Sequence, residues 1–186
     1  LGLESFRDEI GNVIIRKPAT PGMEDRMGVI LQAHVDMVPQ KNNDVEHDFK
    51  KDPIKPRIVD NMVYATGTTL GADNGLGCAV AMAVLESKDM VHGPIEVLIT
   101  IDEETGMTGA RALKPSVLNG DILINLDSET EGELYVGCAG GMDASAEFTY
   151  TTEAVPAGWV GKVLNVKGLV GGHSGMDIIL YRANAN

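Results

Sequence analysis

Three consecutive carboxylates follow an apolar run in the sequence, and a catalytic hypothesis starts from them. Asp102, Glu103 and Glu104 directly follow residues 95–101, whose apolar composition predicts a buried strand. Ionised neighbours at such a position raise one another's pKa values unless a positive charge lies nearby. Because Asp and Glu are mostly exposed in proteins, the tripeptide alone indicates only a solvated loop. A reason to gather negative charge here has to come from the rest of the chain.

Other potential metal ligands occupy similar positions elsewhere. His34 and Asp127 each follow an apolar run, and Asp73 lies in a glycine-rich loop ahead of further apolar residues. Taken singly, they have ordinary explanations as a satisfied histidine, a turn aspartate and a helix cap. Together with the acidic tripeptide they form a set of carboxylates and one imidazole that suits zinc, with manganese or cobalt as alternatives. Two divalent cations would stabilise the crowded carboxylates.

The apolar runs predict the elements that bring these residues together. We predict strands at 12–17, 29–33, 95–101 and 121–126, helices at 76–85 and 108–113, and a surface excursion at 40–61. Asp73 or Asn74 is placed to cap the first helix. Strands that alternate with helices indicate an α/β fold with a partly parallel sheet flanked by helices. Ligands of such sheets bind beyond the carboxyl ends of the strands, which is where the candidate residues fall.

The pattern changes near Gly141. Residues 144–150 and 162–168 alternate between apolar and polar side chains, which predicts half-exposed antiparallel strands. We therefore assign residues 1–141 to the N-terminal, incomplete part of one domain and 142–186 to the truncated beginning of an α+β domain. The first residue is Leu and the last residues carry no terminal signature, so we expect the sequence to be a fragment.

Composition excludes some classes of partner. The chain has 15 Lys and Arg against 27 Asp and Glu, a formal net charge of −12, whereas binding to nucleic acid or anionic membrane requires a basic face. No apolar run reaches the roughly 18 residues that span a bilayer, and no signal peptide opens the sequence. We expect a cytoplasmic protein. Its two cysteines, Cys78 and Cys138, are predicted to be buried free thiols.

Four motifs in order resemble the metal-site motifs of the M20 family of co-catalytic zinc peptidases, closest to its aminoacyl-histidine dipeptidase branch. They are His-Val-Asp (34–36), Gly-Ala-Asp-Asn-Gly (71–75), Asp-Glu-Glu-Thr-Gly (102–106) and Asn-Leu-Asp-Ser-Glu (125–129). The resemblance covers essentially the whole chain. It implies two zinc ions per full-length subunit: His34 and Asp127 would bind one, Glu104 would bind the other, and Asp73 would bridge both.

The same resemblance implies roles for residues that do not bind metal. Glu103 would be the general base that deprotonates the bridging water and later protonates the leaving amine. Asp36, two residues from His34 on the same side of an extended chain, would orient the His34 ring through its second nitrogen. Residues 142–186 would begin an inserted lid domain that mediates homodimerisation. His173, in a Gly-Gly-His-Ser-Gly motif, would reach from that lid to stabilise the oxyanion.

One family residue has no counterpart in the sequence. The family needs a further histidine after the lid as the last ligand of the second zinc. His47 lies in the charged excursion and His92 precedes its strand, so neither is a suitable substitute. A protein of only these 186 residues is therefore expected to bind metal weakly and to hydrolyse little.

The predicted function is a metal-dependent dipeptidase that hydrolyses unblocked dipeptides, with Xaa-His (carnosine-like) substrates favoured. An amidase or deacylase of N-acyl amino acids would use the same metal site, and a non-catalytic binding or assembly relative would keep only the fold. A phosphate-binding loop at 67–77 is disfavoured because it lacks the Gly-Lys-Ser/Thr ending. A serine hydrolase is disfavoured because residues 172–175 do not have the G-x-S-x-G order.

Overall fold

A computed structural model describes residues 1–128, 130–138, 140, 142, 144–171 and 177–182. The chain divides into two compact units, Leu1–Cys138 and Ala139–Asn186. The division falls close to the boundary predicted near Gly141, a residue that lies outside the described ones. Each unit is described by itself.

The first unit is built on a five-stranded mixed sheet. Its strands in chain order are β1 (Glu4–Arg7), β2 (Val13–Lys17), β3 (Val29–His34), β6 (Ile95–Thr100) and β7 (Ile122–Asn125). Their order across the sheet is β1-β2-β6-β3-β7. β3 is parallel to both β6 and β7, while β2 pairs antiparallel with β6 and with β1. The partly parallel α/β sheet predicted from the sequence is confirmed, and β1 is an additional edge strand.

Alternating side chains give the sheet two apolar faces. On one face Leu31, Ile95 and Val97 pack with Ala81 and Leu85 of the long helix α1 (Ala72–Glu86). On the other, Ile14, Ile30 and Leu98 pack against the segment that follows the short helix α2 (Thr108–Arg111), through Leu113, Val117 and Leu118. Odd-numbered and even-numbered residues of β3 and β6 thus point to opposite layers, as a pleated strand requires. The carboxyl edge between these layers holds the candidate ligands.

Helix α1 is longer than predicted and begins differently. It starts after Gly71, which has a left-handed φ of 78°, and no side chain caps its first turn. The prediction that Asp73 or Asn74 caps the helix is wrong. Both residues have non-helical backbone angles, and their side chains turn toward the sheet. They satisfy groups of the sheet edge in place of the first helical N–H groups.

The predicted surface excursion at 40–61 contains the first half of a hairpin that the sequence interpretation missed. β4 (Pro56–Val59) pairs antiparallel with β5 (Met62–Ala65) in a separate two-stranded sheet. Asp60 and Asn61 link them with φ values of 47° and 69°. Positive φ at both central residues is the mark of a type I′ turn, for which Asn and Asp are favoured. An Asp-Asn pair between two short β-prone runs was the available signal.

The second unit has little regular structure in its described residues. A 3₁₀ turn at Ile178–Leu180 is the one element there. The strands predicted at 144–150 and 162–168 are wrong for this structure: both segments are described, and neither pairs with another described segment. Alternation assigns side chains to two faces, but a strand forms only when a neighbouring strand accepts its hydrogen bonds. Phe148 and Trp159 remain exposed.

Gly109 of α2 lies in a tightly packed turn after β6. A Cβ at Gly109 would lie 2.7 Å from the carbonyl oxygen and 2.8 Å from the nitrogen of Ile101, and closer still to the Asn12 amide. Gly109→Ala is therefore expected to lower the free energy of unfolding by about 1–3 kcal/mol through overpacking. The control is Gly106→Ala, whose nearest neighbours would be 3.4 and 3.5 Å away. Urea unfolding of both variants is the measurement, and equal stabilities would contradict the prediction.

Candidate metal centre

His34 is the centre of the site. It ends β3, and its side chain is only 1% exposed. Its Nε2 atom lies 3.0 Å from Asp73 Oδ1, 3.5 Å from Asp127 Oδ2 and 4.0 Å from Glu103 Oε2. The other ring nitrogen, Nδ1, lies 3.0 Å from the backbone carbonyl oxygen of Asp36. One ring nitrogen therefore faces carboxylates from three separate segments, while the other is held by the chain's own backbone.

Two groups of potential ligands share the His34 ring. The first consists of His34, Asp73 and Asp127, and the second of His34, Glu103 and Glu104. Within each group the candidate ligand atoms lie within 4.8 Å of one another. The structure thus brings together all four residues predicted to bind metal, with Glu103 beside them. They come from the ends of β3, β6 and β7 and from the start of α1, as a partly parallel sheet allows.

Asp36 connects the two predicted halves of the site. Its carboxylate accepts the backbone N–H groups of Glu103 (3.1 Å) and Glu104 (3.0 Å). Its Oδ1 lies 3.5 Å from His34 Nδ1, farther than its own carbonyl oxygen. Its carboxylate is thus placed mainly to hold the loop that carries the glutamates. Burial opposes the charge of Asp36, but the N–H groups of Glu104 and Glu103 outweigh burial and lower its pKa.

Asp102, which had no assigned role in the sequence, organises the turn. Its carboxylate accepts hydrogen bonds from the hydroxyls of Thr105 and Thr108, and these bonds lower its pKa. Its φ of 57° is left-handed, and its carbonyl oxygen accepts the N–H of Gly106 at 3.3 Å. Asp102 therefore shapes the bend immediately before Glu103, and its carboxylate bonds to threonines within that turn.

The electrostatics of the cluster favour a cation. Burial first, and then the charge of Asp73, raise the pKa of Asp127 to about 6. Burial and the charges of Asp73 and Glu103 raise the pKa of Glu104. Burial lowers the pKa of His34, but Asp127, Asp73 and Glu103 outweigh it and the net shift is upward. Burial and neighbouring carboxylates therefore make Asp127 and Glu104 harder to ionise.

The donor set fits a divalent cation. Imidazole and carboxylate are ligands that Zn²⁺, Mn²⁺ and Co²⁺ accept, and several of the carboxylates are partly exposed and accessible. A divalent cation among them would oppose both causes that raise the pKa values of Asp127 and Glu104, namely burial and the charges of neighbouring carboxylates. The site thus fits a metal by its chemistry as well as by its spacing.

A cavity adjoins the cluster on one side. It has a volume of about 220 Å³, and its lining includes Glu103 and Asp127 together with Met107, Leu113 and Leu123. That volume lies below the roughly 300–1,000 Å³ of usual ligand pockets, so it fits a small substrate group. A larger cavity of about 490 Å³ lies around Arg16 and Asn119 and includes none of the candidate ligands. A further cavity of about 300 Å³ is lined by Asp73, Asn74 and Asp127, so cavities adjoin the ligand cluster on two sides.

The sequence has three histidines besides His34, and the structure describes two of them. His173, with the rest of residues 172–176, lies outside the described residues. His47 packs edge-on against Phe49, and His92 bonds through Nδ1 to the carbonyl oxygen of Gly93. Neither of these two belongs to a candidate metal group among the described residues. Neither is a suitable further metal ligand in this structure.

Comparison with known proteins agrees with this geometry. Residues 30–161 match Peptidase family M20/M25/M40. The chain belongs to this family. M20 peptidases are metal-dependent, and in this chain the candidate ligands meet at one edge of the sheet. The fold is that of an M20 catalytic domain.

Named relatives include dipeptidases. The chain is 58% identical over 185 residues to the cytosol non-specific dipeptidase of Escherichia coli K12, covering 100% of this chain and 38% of the relative. It is similar to the solved aminoacylhistidine dipeptidase of Vibrio alginolyticus, with a TM-score of 0.72, 54% identity, and coverage of 99% of this chain and 38% of that one. The aminopeptidase PepT of Bacillus cereus is also similar, with a TM-score of 0.55, 32% identity, and coverage of 69% and 35%. The M20 chain described here thus spans well under half the length of these relatives.

Two residues of this M20 site were missed as site residues. Asn74 was considered only as a helix cap, yet it is buried. Its amide bonds to the backbone N–H of His34 and to the carboxylate of Asp127. Cys78 is half-buried as a free thiol, and its Sγ donates to the carbonyl oxygen of His34 at 3.1 Å. Burial and the charge of Asp127 raise the thiol pKa. Cys138 is exposed, so the prediction that both cysteines are buried is wrong.

In the part of the chain that the structure describes, no helix combines the length and apolar character needed to cross a membrane.

Proposed function

We propose that the protein carrying this chain is a metal-dependent dipeptidase that hydrolyses unblocked dipeptides. The observation that carries the proposal is the meeting of His34, Asp73, Asp127 and the Glu103–Glu104 pair at one edge of the sheet. The dipeptidase names of the E. coli and Vibrio relatives support it. The E. coli relative supports a cytoplasmic location as well. We propose homodimerisation through a lid that begins at residue 142.

The residues divide into binding and proton-transfer roles. His34 and Asp127 would hold one cation, Glu104 the other, and Asp73 both, with zinc the proposed metal. Divalent cations held there supply Lewis acidity, which lowers the pKa of water and polarises a carbonyl. Glu103 is the free carboxylate that takes the proton from water and returns it to the leaving amine nitrogen. The water oxygen becomes part of the new carboxylate as the C–N bond breaks.

Other residues position these groups. Asp36 holds the backbone of Glu103 and Glu104 and so positions the loop that carries both side chains. It also lies close enough to His34 to help orient the ring. His173 is retained as the proposed donor to the oxyanion, since an imidazole N–H suits that role.

The charge of the site favours a free amino terminus. The site has five carboxylates, and their charge exceeds that of two divalent cations; they are Asp36, Asp73, Glu103, Glu104 and Asp127. The remaining negative potential attracts the ammonium group of an unblocked dipeptide, but it does not attract a neutral N-acyl group. A deacylase with the same ligands is the second candidate.

Substrate tests on the full-length protein separate these candidates. Carnosine-like Xaa-His dipeptides, dipeptides without histidine and N-acetyl amino acids are assayed side by side, with divalent metal and after chelation. We expect cleavage of the dipeptides, loss of activity on chelation and recovery when Zn²⁺ or Co²⁺ is restored. Faster hydrolysis of N-acetyl amino acids would identify a deacylase instead. Equal rates on dipeptides with and without histidine would remove the Xaa-His preference and keep the dipeptidase.

A further inference from the structure

The pairing of strands β3 and β7 ends just before the candidate metal ligands. Their pairing ends at Gln32 and Asn125, and the last ladder bond runs from the Leu126 N–H to the Gln32 carbonyl oxygen at 2.8 Å. β3 continues beside β6 as far as His34. Residues of a strand direct their backbone groups alternately to the two neighbours. Because Val35 donates to Thr100 of β6, the backbone N–H and C=O of His34 face the side where β7 has ended.

Helix α1 supplies the bonds that β7 no longer gives. Asn74 Oδ1 accepts the His34 N–H at 3.2 Å, and Cys78 Sγ donates to the His34 carbonyl oxygen at 3.1 Å. The two residues lie four positions apart in the first part of α1, where Asn74 itself has non-helical backbone angles. Both backbone groups of a buried ligand are thus satisfied by side chains of one segment.

The other end of the Asn74 amide reaches β7. Its Nδ2 donates to the Leu126 carbonyl oxygen at 2.9 Å and to Asp127 Oδ1 at 2.7 Å. Asn74 also follows Asp73 directly in the sequence. One buried amide therefore touches the backbone of His34 and the carboxylate of Asp127, and it adjoins Asp73. These are the three members of one candidate metal group.

Gly77 leaves the space that this amide occupies. A Cβ at Gly77 would lie 2.8 Å from the Leu126 carbonyl oxygen and in collision with the Asn74 amide. At Gly75, two residues earlier in the same helix, a Cβ would meet nothing within 4 Å. A side chain would therefore fit at Gly75, whereas at Gly77 it would occupy the space that the Asn74 amide fills.

We infer that Asn74 is a positioning residue that spans the gap between β3 and β7 and sets the separation of His34, Asp73 and Asp127 for metal binding. This inference rests on the proposed metal-dependent function. Outer hydrogen bonds of this kind typically change metal affinity by about 10- to 100-fold when they are removed. The amide is suited to the role because it accepts from one strand and donates to the other, which neither a carboxylate nor a hydroxyl does with the same span.

The test is a Co²⁺ titration of the full-length protein, followed by visible absorption, which reports coordination geometry as well as occupancy. Asn74→Asp keeps the shape and the acceptor for His34, but it places a carboxylate oxygen against Leu126 O and Asp127. We expect about 10- to 100-fold weaker Co²⁺ binding and an altered spectrum. Gly77→Ala is expected to act in the same direction, whereas Gly75→Ala binds Co²⁺ like the wild type.

Glu96→Gln is the control for general loss of stability, because Glu96 lies toward the opposite end of the sheet. It is expected to lower the unfolding temperature without changing the Co²⁺ spectrum. A wild-type spectrum and affinity for Asn74→Asp would overturn the role of Asn74 and leave the metal site standing. Equal losses of Co²⁺ affinity in Glu96→Gln and Asn74→Asp would overturn it as well. Failure of the wild type to bind Co²⁺ would instead sink the proposed function.

Discussion

Replacing Glu103 with Gln in the full-length protein is expected to lower dipeptide turnover by about 10²- to 10⁴-fold while leaving metal content close to that of the wild type. Proton transfer by a positioned side chain contributes an acceleration of about that size. Gln keeps the length and most of the hydrogen-bonding shape of Glu, but it cannot take a proton from water. Turnover and bound metal, the latter by elemental analysis, are measured on the same preparations.

The structure makes this a demanding prediction, because Glu103 also lies near the candidate ligands. Its carboxylate is 4.0 Å from His34 Nε2, and Glu103 belongs to a candidate metal group with Glu104. The matched control is therefore Glu104→Gln, the same substitution at the next residue, which is expected to lose bound metal together with activity. If Glu103→Gln lost metal and turnover together, Glu103 would be a ligand. If the two variants exchanged behaviours, the roles of the two residues would be reversed.

The ligand-bearing part of the fold could be predicted from the sequence. The apolar runs indicate strands there, and the candidate ligands directly follow those runs. The apolar runs before His34 and Asp127 are buried or paired strands of one sheet, so the residues just beyond them have to meet. Side-chain type then selects metal chemistry. The site could be anticipated to this extent from composition and order alone.

Hydrogen bonds that cross between elements could not be predicted in the same way. Asn74 at the start of a helix ordinarily indicates a cap, and only the end of β7 beside His34 shows why its amide is directed to the sheet. Asp102 likewise needs the positions of Thr105 and Thr108 before its role in the turn is visible. Strand prediction in the second unit failed because alternation does not supply a pairing partner.

Glu96→Ala is expected to lower the free energy of unfolding by about 1–3 kcal/mol, because it removes a buried acceptor from the backbone N–H groups of Asn119 and Gly120. Glu96 is 5% exposed, and its Oε1 accepts from Arg16 Nε at 3.0 Å. Its Oε2 accepts the backbone N–H groups of Asn119 (2.6 Å) and Gly120 (2.7 Å). Glu96 thus fixes the approach to β7 from β6, and its hydrogen bond is the main cause that raises the pKa of Arg16. Urea unfolding measures the change.

The other carboxylate partner of Arg16 provides the matched control. Glu4 lies at the same 3.0 Å from Arg16, but its side chain is 64% exposed. Glu4→Ala is expected to change the free energy of unfolding by no more than about 1 kcal/mol, since water replaces the lost contact and screens the charges. Equal losses for the two variants would show that the pairing with Arg16, and not the burial of Glu96 with its two backbone donors, determines the effect. A large loss for Glu96→Ala alone would mean that this carboxylate anchors the segment that leads into β7.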